Sequence, residues 1–430
     1  MKILNIAGTG PIFGAIMGAK FGPASYLWIV LGCIFAGAVH DYLCGMLSVR
    51  HGGAGFPELV GEYLGRRTKK VMLVFSIVLL LLVGTVFVYS PALILGDIAG
   101  DGSRASIMLW VGIIFLYYVV ATLLPIDKLI GKVYPVFAFA LLFMAAALMV
   151  CLFVKWPSLP ELWEGLGGWS DRAGIGDQPI FPCLFITIAC GAISGFHATQ
   201  SPLMARCIRS EKMGRPVFYG SMITEGLVAL IWAAVSSWFF FDGGAAAVGS
   251  DPSAAAPTVV TKVSESWLGL LGGILAILGV VAAPITSGDT AFRSARLIIA
   301  YFLRLPQKSL PKRLWIALPL FAGSALLLWY NIADANGFNT IWRYFGWSNQ
   351  TLAAFMLWTA TVYLTRKKGG AWYLVTLLPA LFMTAVCVTF ILVDKTGFRV
   401  PSSLAPVIGL LTFVISALFF YLWKKRKQYA

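Results

Sequence analysis

The sequence predicts an all-α, polytopic membrane protein built as a single transmembrane domain, and three observations carry that prediction. Of 430 residues, 59% are hydrophobic and only 12% are charged, whereas soluble domains carry a charged share near a quarter. Mean hydropathy is +0.84. The apolar residues fall in runs of about twenty, the length at which a helix crosses the hydrocarbon of a bilayer.

The first run, 3–17, is too short to cross and is interrupted by Gly8, Gly10, Pro11 and Gly14. It reads as an incomplete helix kept in the mature chain, because Lys2 is a minimal basic region and the glycines break any smooth signal-peptide core. Eleven full spans follow, at 23–49, 71–95, 106–124, 133–154, 180–197, 216–241, 267–285, 314–330, 341–364, 371–393 and 404–423. That makes about twelve transmembrane segments. The stretches 155–179 and 242–266, rich in Gly, Ala, Ser and Pro, read as loops. Residues 51–57 read as a turn leading into a short amphipathic helix over 58–65.

The net charge of +15, from 33 Lys+Arg against 18 Asp+Glu, does not indicate a nucleic-acid partner, because the basic residues cluster between apolar runs. With the first segment running outward, 25 Lys and Arg fall on the inner side and 7 on the outer, Arg343 lying near the outer end of its span. This excess predicts that both termini are cytoplasmic. Seven cysteines occur singly and there are three histidines, so neither a disulfide framework nor a metal site is readable.

The first and sixth segments are both punctuated near mid-membrane, at Asn5 to Pro11 and at Gly191 to Pro202. Glycine eases departure from helical dihedrals and proline removes a backbone donor. Unwound backbone is tolerated in a membrane only where protein or a water-filled cavity satisfies it. An odd number of crossings separates the two segments, so they run in opposite senses, as an inverted repeat of five helices plus five requires. The repeats would be 1–154 and 180–364, with two additional helices over 371–423 and a basic cytoplasmic tail over 424–430. Paired broken helices point to a transporter binding site. The candidate substrate contacts are Gly8, Thr9 and Gly10 in the first break, and Ser194, Gly195, His197 and Gln200 in the second. A competing reading exists for the first segment: Gly10, Gly14 and Gly18 recur every fourth residue, as on a close-packed helix face.

At these residues the sequence resembles a known family. NIAGTGPIFGAI, the later LWIVLGCIFAGAVHDY and ITSGDTAFRSARLI are similar to the carbon starvation protein A family, and the match extends over nearly the whole chain. The resemblance implies a bacterial inner-membrane transporter with a fold like the amino acid/polyamine/organocation superfamily. It also implies uptake of peptides and, in related members, of pyruvate with protons. Family members carry a further helix and a polar connection before NIAGTGP, and longer members carry extra C-terminal helices. Met1 lies four residues upstream of Asn5, so the resemblance implies a shortened N-terminus.

Ionisable groups inside spans are costly and count as functional candidates. Glu225, mid-span, fits proton coupling, which needs a carboxyl that loads and unloads a proton; the alternative is a structural hydrogen bond to unwound backbone. Asp289, with Thr286 and Ser287, sits where its helix nears the inner face. Together with carbonyls of Ala7 or Gly8 it could form an oxygen-rich cation site, or Asp289 pairs with Arg293 four residues on. Asp41 is a further candidate for ion or proton coupling, with an anchor for the inner loop or a neighbouring helix as the competing role. His40, adjacent to it and about 100° away around a regular helix, is read as packing or relay. His197 lies within the second interruption and, because the ordinary histidine pKa is near physiological pH, is read as a substrate or proton contact. Arg206, Arg293 and Arg296 are read as topogenic or headgroup-binding. Trp28, Trp156, Trp163, Trp169, Trp329, Trp342 and Trp347 are read as an interfacial belt.

The function expected is ion-coupled secondary import of a small carboxylate or short peptide, with the proton as coupling ion and sodium as the alternative, and with no cofactor. Substrate and membrane lipid are the partners. No G-x-x-x-x-G-K-[ST] motif indicates ATP drive, and no nucleophile, carboxylate pair or metal cluster indicates an enzyme. A channel or nutrient sensor is the alternative.

Overall fold

Lipid offers backbone groups no hydrogen bonds, so apolar runs fold as helices that satisfy their own. The computed structural model describes residues 8–123, 127–164, 178–250, 255–306, 309–334, 336–367 and 370–428, and among them there is no strand. In chain order the helices are α1 (Gly10–Ala19), α2 (Pro23–Gly32), α3 (Ala38–Arg50), α4 (Phe56–Leu64), α5 (Arg66–Ile98), α6 (Arg104–Leu123), α7 (Asp127–Lys155), α8 (Ile180–Thr187) and α9 (Phe196–Ala205). They continue as α10 (Gly220–Phe241), α11 (Gly244–Ala247), α12 (Ala256–Leu275), α13 (Ala282–Phe302), α14 (Leu310–Ala333), α15 (Gly337–Lys367), α16 (Leu374–Val393) and α17 (Ala405–Gln428). A π-helical turn, Cys33–Gly37, joins α2 to α3, and another, Ala276–Val281, joins α12 to α13. Among the described residues, nine helical stretches are long and apolar enough to cross a membrane.

Large side chains such as Phe13, Trp232, Phe292 and Trp342 fill the centre, while Leu116, Phe139, Phe153, Leu326 and Phe419 are exposed on the rim. That distribution, apolar outside as well as inside, suits a lipid-facing surface. Close approach at the centre depends on small residues. A Cβ on Gly84 of α5 would run into Phe292 of α13. Gly10, Gly14 and Gly18 of α1 lie against Cys190, the Thr187 carbonyl and Ile188 respectively, so the four-residue glycine repeat is a packing stripe, and what it packs on is the second interruption.

Several boundaries differ from the sequence reading. The span expected over 180–197 is two short helices, α8 and α9, separated by 188–195. Pro202, taken as part of the interruption, sits inside α9, so Gln200 is helical and the unwound stretch lies earlier. The expected loop 242–266 holds α11 and the first part of α12, which runs on into the expected span and bends where Gly269 adopts φ 58°. The span expected to end at 285 continues as α13 to Phe302, which places Thr286, Ser287 and Asp289 inside a continuous helix, not at its end. Arg296 is 6% exposed, unlike a headgroup-binding residue. Trp28 and Trp342 are buried core residues, whereas Trp156, Trp163 and Trp329 are exposed as a belt requires. Ala7 and Trp169 lie outside the described residues.

Candidate functional site

The site is built where α1, α3, α10 and α15 surround the gap between α8 and α9. Gly191 has φ 90°, a conformation that costs an L side chain but not glycine, and it turns the chain out of α8. The polar groups thereby released are claimed by two neighbouring side chains of α15. Asn349 Nδ2 donates to the Ala189 carbonyl at 2.9 Å and to Ser194 Oγ at 3.2 Å, while its Oδ1 accepts from the Phe196 amide at 2.6 Å. Gln350 Nε2 donates to the carbonyls of Phe185 and Ile193, each at 3.2 Å. Both amides are buried. Gly195 lies so close to α15 that a Cβ would strike the Asn349 carbonyl. Sequence reasoning missed this pair, although two adjacent amides in mid-span were a signal of the kind that flags intramembrane polar residues.

The first interruption is tighter. Gly8 has φ 45° and lies against the Phe87 ring, with Ser287 Oγ beyond; Thr9 is fully buried, its Oγ1 has no hydrogen-bond partner, and its carbonyl accepts the Phe13 amide at 2.8 Å. Pro91 cannot donate to the carbonyl four residues back. That carbonyl, Phe87's, is 2.9 Å from the Tyr118 hydroxyl, which also lies 2.8 Å from the Pro284 carbonyl of α13. A Cβ on Gly288 would meet the Tyr118 ring, so the glycine of the Thr286 to Asp289 motif admits the tyrosine.

Against the other face of α9 lies a chain of ionisable groups. Asp41 accepts from His40 Nδ1 at 2.9 Å and from His197 Nδ1 at 2.8 Å. His197 Nε2 then faces Glu225 Oε2 at 3.2 Å. All four side chains are at most 2% exposed. With Nδ1 of His197 donating to a carboxylate, a neutral ring would turn a lone pair at Nε2 toward Glu225. Two lone pairs at that distance repel, so the contact is sensitive to whether either atom carries a proton. Glu225 Oε1, His40 Nε2 and His197 Nε2 have no hydrogen-bond partner. Asp41 therefore joins two histidines, one of them on the neighbouring helix α9. The reading of His40 and Asp41 as diverging from a regular helix misses that the two side chains bond each other just beyond the π-helical turn.

The other predicted groups are dispersed. Asp289 pairs with Arg293 at 3.2 Å, the pairing weighed from the sequence, and Thr286 Oγ1 donates within its own helix to the Ala283 carbonyl at 2.8 Å. Gln200 Nε2 donates to Thr199 Oγ1 at 3.2 Å and Ser294 Oγ at 3.3 Å, forming part of the wall below the ionisable chain. Among the described residues no three His, Cys, Asp or Glu side chains converge as metal ligands; the His40, Asp41, His197 and Glu225 groups are strung in line.

A cavity of about 780 Å³ reaches Met17 of α1 and Thr187 of α8, with Trp342 on its wall. At the opposite end of α9, a cavity of about 260 Å³ is bounded by Thr199, Arg206 and Ser294. Arg206 spans its mouth, donating from Nε and Nη2 to the Gly53 carbonyl at 3.2 and 2.9 Å.

Solved structures share the fold of this many-helix bundle. A glutamate-to-glutamine mutant of the manganese transporter of Eremococcus coleocola superposes with a TM-score of 0.60 at 13% identity, covering 99% of this chain and 94% of that one. The family described as Carbon starvation protein CstA matches residues 2–99, 98–267 and 256–390. The chain belongs to that family. It is 47% identical to an uncharacterized membrane protein of Haemophilus influenzae, over 56% of this chain and 76% of the relative. It is also 26% identical to the peptide transporter CstA of Campylobacter jejuni and 24% identical to that of Escherichia coli. These matches cover 88% and 89% of this chain, and 70% and 71% of the relatives.

Proposed function

We propose that this protein is a proton-coupled secondary importer of a short peptide or a small carboxylate such as pyruvate, working in the bacterial inner membrane under carbon starvation. The observation that carries the reading is the His197–Glu225 contact, an imidazole nitrogen 3.2 Å from a buried carboxyl beside the interrupted backbone of the second break. A site that holds a proton beside unwound helix couples protonation to the geometry of the break: without the proton, repulsion at Nε2 would part α9 from α10. Substrate would bind near Thr9, Ser194 and His197, between the two cavities, and access would alternate by rocking one helix bundle against another. In support, the relatives named peptide transporters align over most of the chain.

The same reading takes the protein as twelve crossings in a five-plus-five inverted repeat, with two helices added and both termini cytoplasmic. Beyond the nine apolar spans, α1, the α8–α9 pair and α15 would supply the other three. Each falls short of an apolar span for a reason tied to the site: α1 and α8–α9 are interrupted, and α15 carries Ser348, Asn349 and Gln350. No covalent step is assigned. The test is uptake of labelled pyruvate and of a labelled dipeptide into proteoliposomes, with and without an imposed proton gradient and with sodium varied separately. Gradient-driven accumulation of either substrate is expected. Equilibration without accumulation would favour a channel, and sodium-driven accumulation at equal pH would replace the proton.

A further inference from the structure

We infer that α9 is the inner gate of the transport path, and that Arg206 latches it to the turn 51–54 across the 260 Å³ cavity; this rests on the transport reading above and names the element that closes the inner side. The turn is built to stay in place. The amides of His51, Gly52 and Gly53 return to the Leu47, Val49 and Ser48 carbonyls at 3.0, 3.2 and 2.7 Å, and Ser48 Oγ donates to the Ala54 carbonyl at 2.9 Å. Gly52 and Gly53 have φ 63° and 81°, settings that glycine adopts without steric cost. On the other side, His51 Nε2 lies 3.1 Å from Glu62 Oε1 of α4, and α4 is seated in the core by Phe56, Leu59 and Val60. The turn is thus fixed to α3 behind it and to α4 ahead of it.

The helix is the movable half. It has ten residues, with the unwound stretch 188–195 before it and non-helical backbone over 206–210 after it. Among the described residues, the donors of Arg206 go to one carbonyl, that of Gly53, through Nε and Nη2. The stem of the arginine lies flat on that glycine, since a Cβ there would come within 2.7 Å of Cγ and 2.8 Å of Nε. A second tie, Arg50 Nη2 to Glu211 Oε2 at 3.1 Å, joins side chains 46% and 53% exposed, and exposed ion pairs hold weakly. Higher on the same wall, Gln200 reaches across from α9 to Ser294 of α13 at 3.3 Å. Swinging α9 away from α13 and the turn therefore breaks hydrogen bonds to neutral oxygens and separates no buried ion pair. His197 and Arg206 are nine residues apart on this one element, about 13 Å along a helix. A displacement that starts at the His197–Glu225 contact is thereby carried to the mouth of the cavity, which ties opening of the inner side to the ionisable chain.

Two measurements test this, and one of them needs no transport. Cys207, at the end of α9, is exposed, whereas the other cysteines are buried or half-buried. One spin label goes on Cys207 and a second on Arg66→Cys at the start of α5, and the distance distribution between them is recorded by pulsed electron paramagnetic resonance. Arg206→Gln should add a displaced population of about a fifth of the molecules or more. Glu211→Gln, which loosens the exposed tie alone, should leave the parent's distribution. A parent-like distribution in Arg206→Gln, or an equal shift in Glu211→Gln, overturns the latch. In the second measurement, Cys207 is joined to Ala54→Cys by a reducible bifunctional methanethiosulfonate, which pins α9 to the turn. Uptake of the accumulated substrate into proteoliposomes should fall about tenfold or more and return on reduction. Uptake that survives the cross-link overturns the gate. If the parent accumulates neither pyruvate nor dipeptide, the transport reading fails, while the spin-label distances still decide the latch.

Discussion

The two faces of α9 solve the problem of polar groups inside a membrane in opposite ways. Toward α15, the polar groups freed by the second break meet neutral amides: Asn349 and Gln350 bond Ala189, Ile193, Phe196 and Phe185, and nothing in that set changes charge. Toward α3 and α10, the groups are ionisable, and several polar atoms lack partners, among them Glu225 Oε1 and His40 Nε2. Neutral groups fix a shape; ionisable ones make it depend on a proton. The break is therefore held from one side and switched from the other.

The sharpest way to break that contrast is on the neutral side. Asn349→Leu strands the Ala189 carbonyl and the Phe196 amide, and unsatisfied buried groups cost about 1–3 kcal/mol each. The expected outcome is a loss of about 3 kcal/mol or more, read as a lower thermal unfolding midpoint in detergent. A parent-like midpoint would mean that the break holds itself open without α15.

On the ionisable side, Asp41→Asn should leave the midpoint within a few degrees of the parent, since the isosteric amide fills the same space. Gradient-driven uptake should nevertheless fall about a hundredfold, the scale at which a positioned proton-transfer group acts. Equal losses of stability and uptake would make Asp41 structural and erase the distinction between the faces. Glu225→Gln mimics a carboxyl that keeps its proton. Uptake should fall about tenfold under a proton gradient and lose its dependence on pH, while substrate exchange at equal concentrations persists; a parent-like pH profile would remove Glu225 from coupling.

Two smaller effects sharpen the comparison. Gly18→Ala puts a methyl into Ile188, and overpacking of this kind costs about 1–3 kcal/mol. Adding Ile188→Ala should restore most of the lost midpoint, because the clash is with that side chain. Ser287→Ala should change uptake by about twofold or less and leave it independent of sodium, since a hard cation needs several oxygen ligands together and here Thr286 and Asp289 bond elsewhere. A strong sodium-linked loss would restore the cation site.

By itself, the sequence determined the membrane class, most of the helical runs, the interruptions at Gly8 and Gly191, and the family, because apolarity, glycine and proline act on the chain locally. It also marked Glu225, His197 and Asp41 as candidates, since an ionisable group in an apolar run is conspicuous without knowledge of its neighbours. Tertiary structure alone decided which groups meet. That Asp41 joins His40 to His197 and that Asn349 caps Ala189 depend on helices far apart in the chain crossing at particular heights. The helix α12, expected as a loop, belongs to the same class: its alanines, serines and threonines carry little apolar signal, and packing of Val259, Val260 and Val263 into the core makes it helical. Local composition sets where a chain leaves regular structure, but a buried polar group is stabilised by whatever partner packing brings within about 3 Å, and that distance has no trace in periodicity.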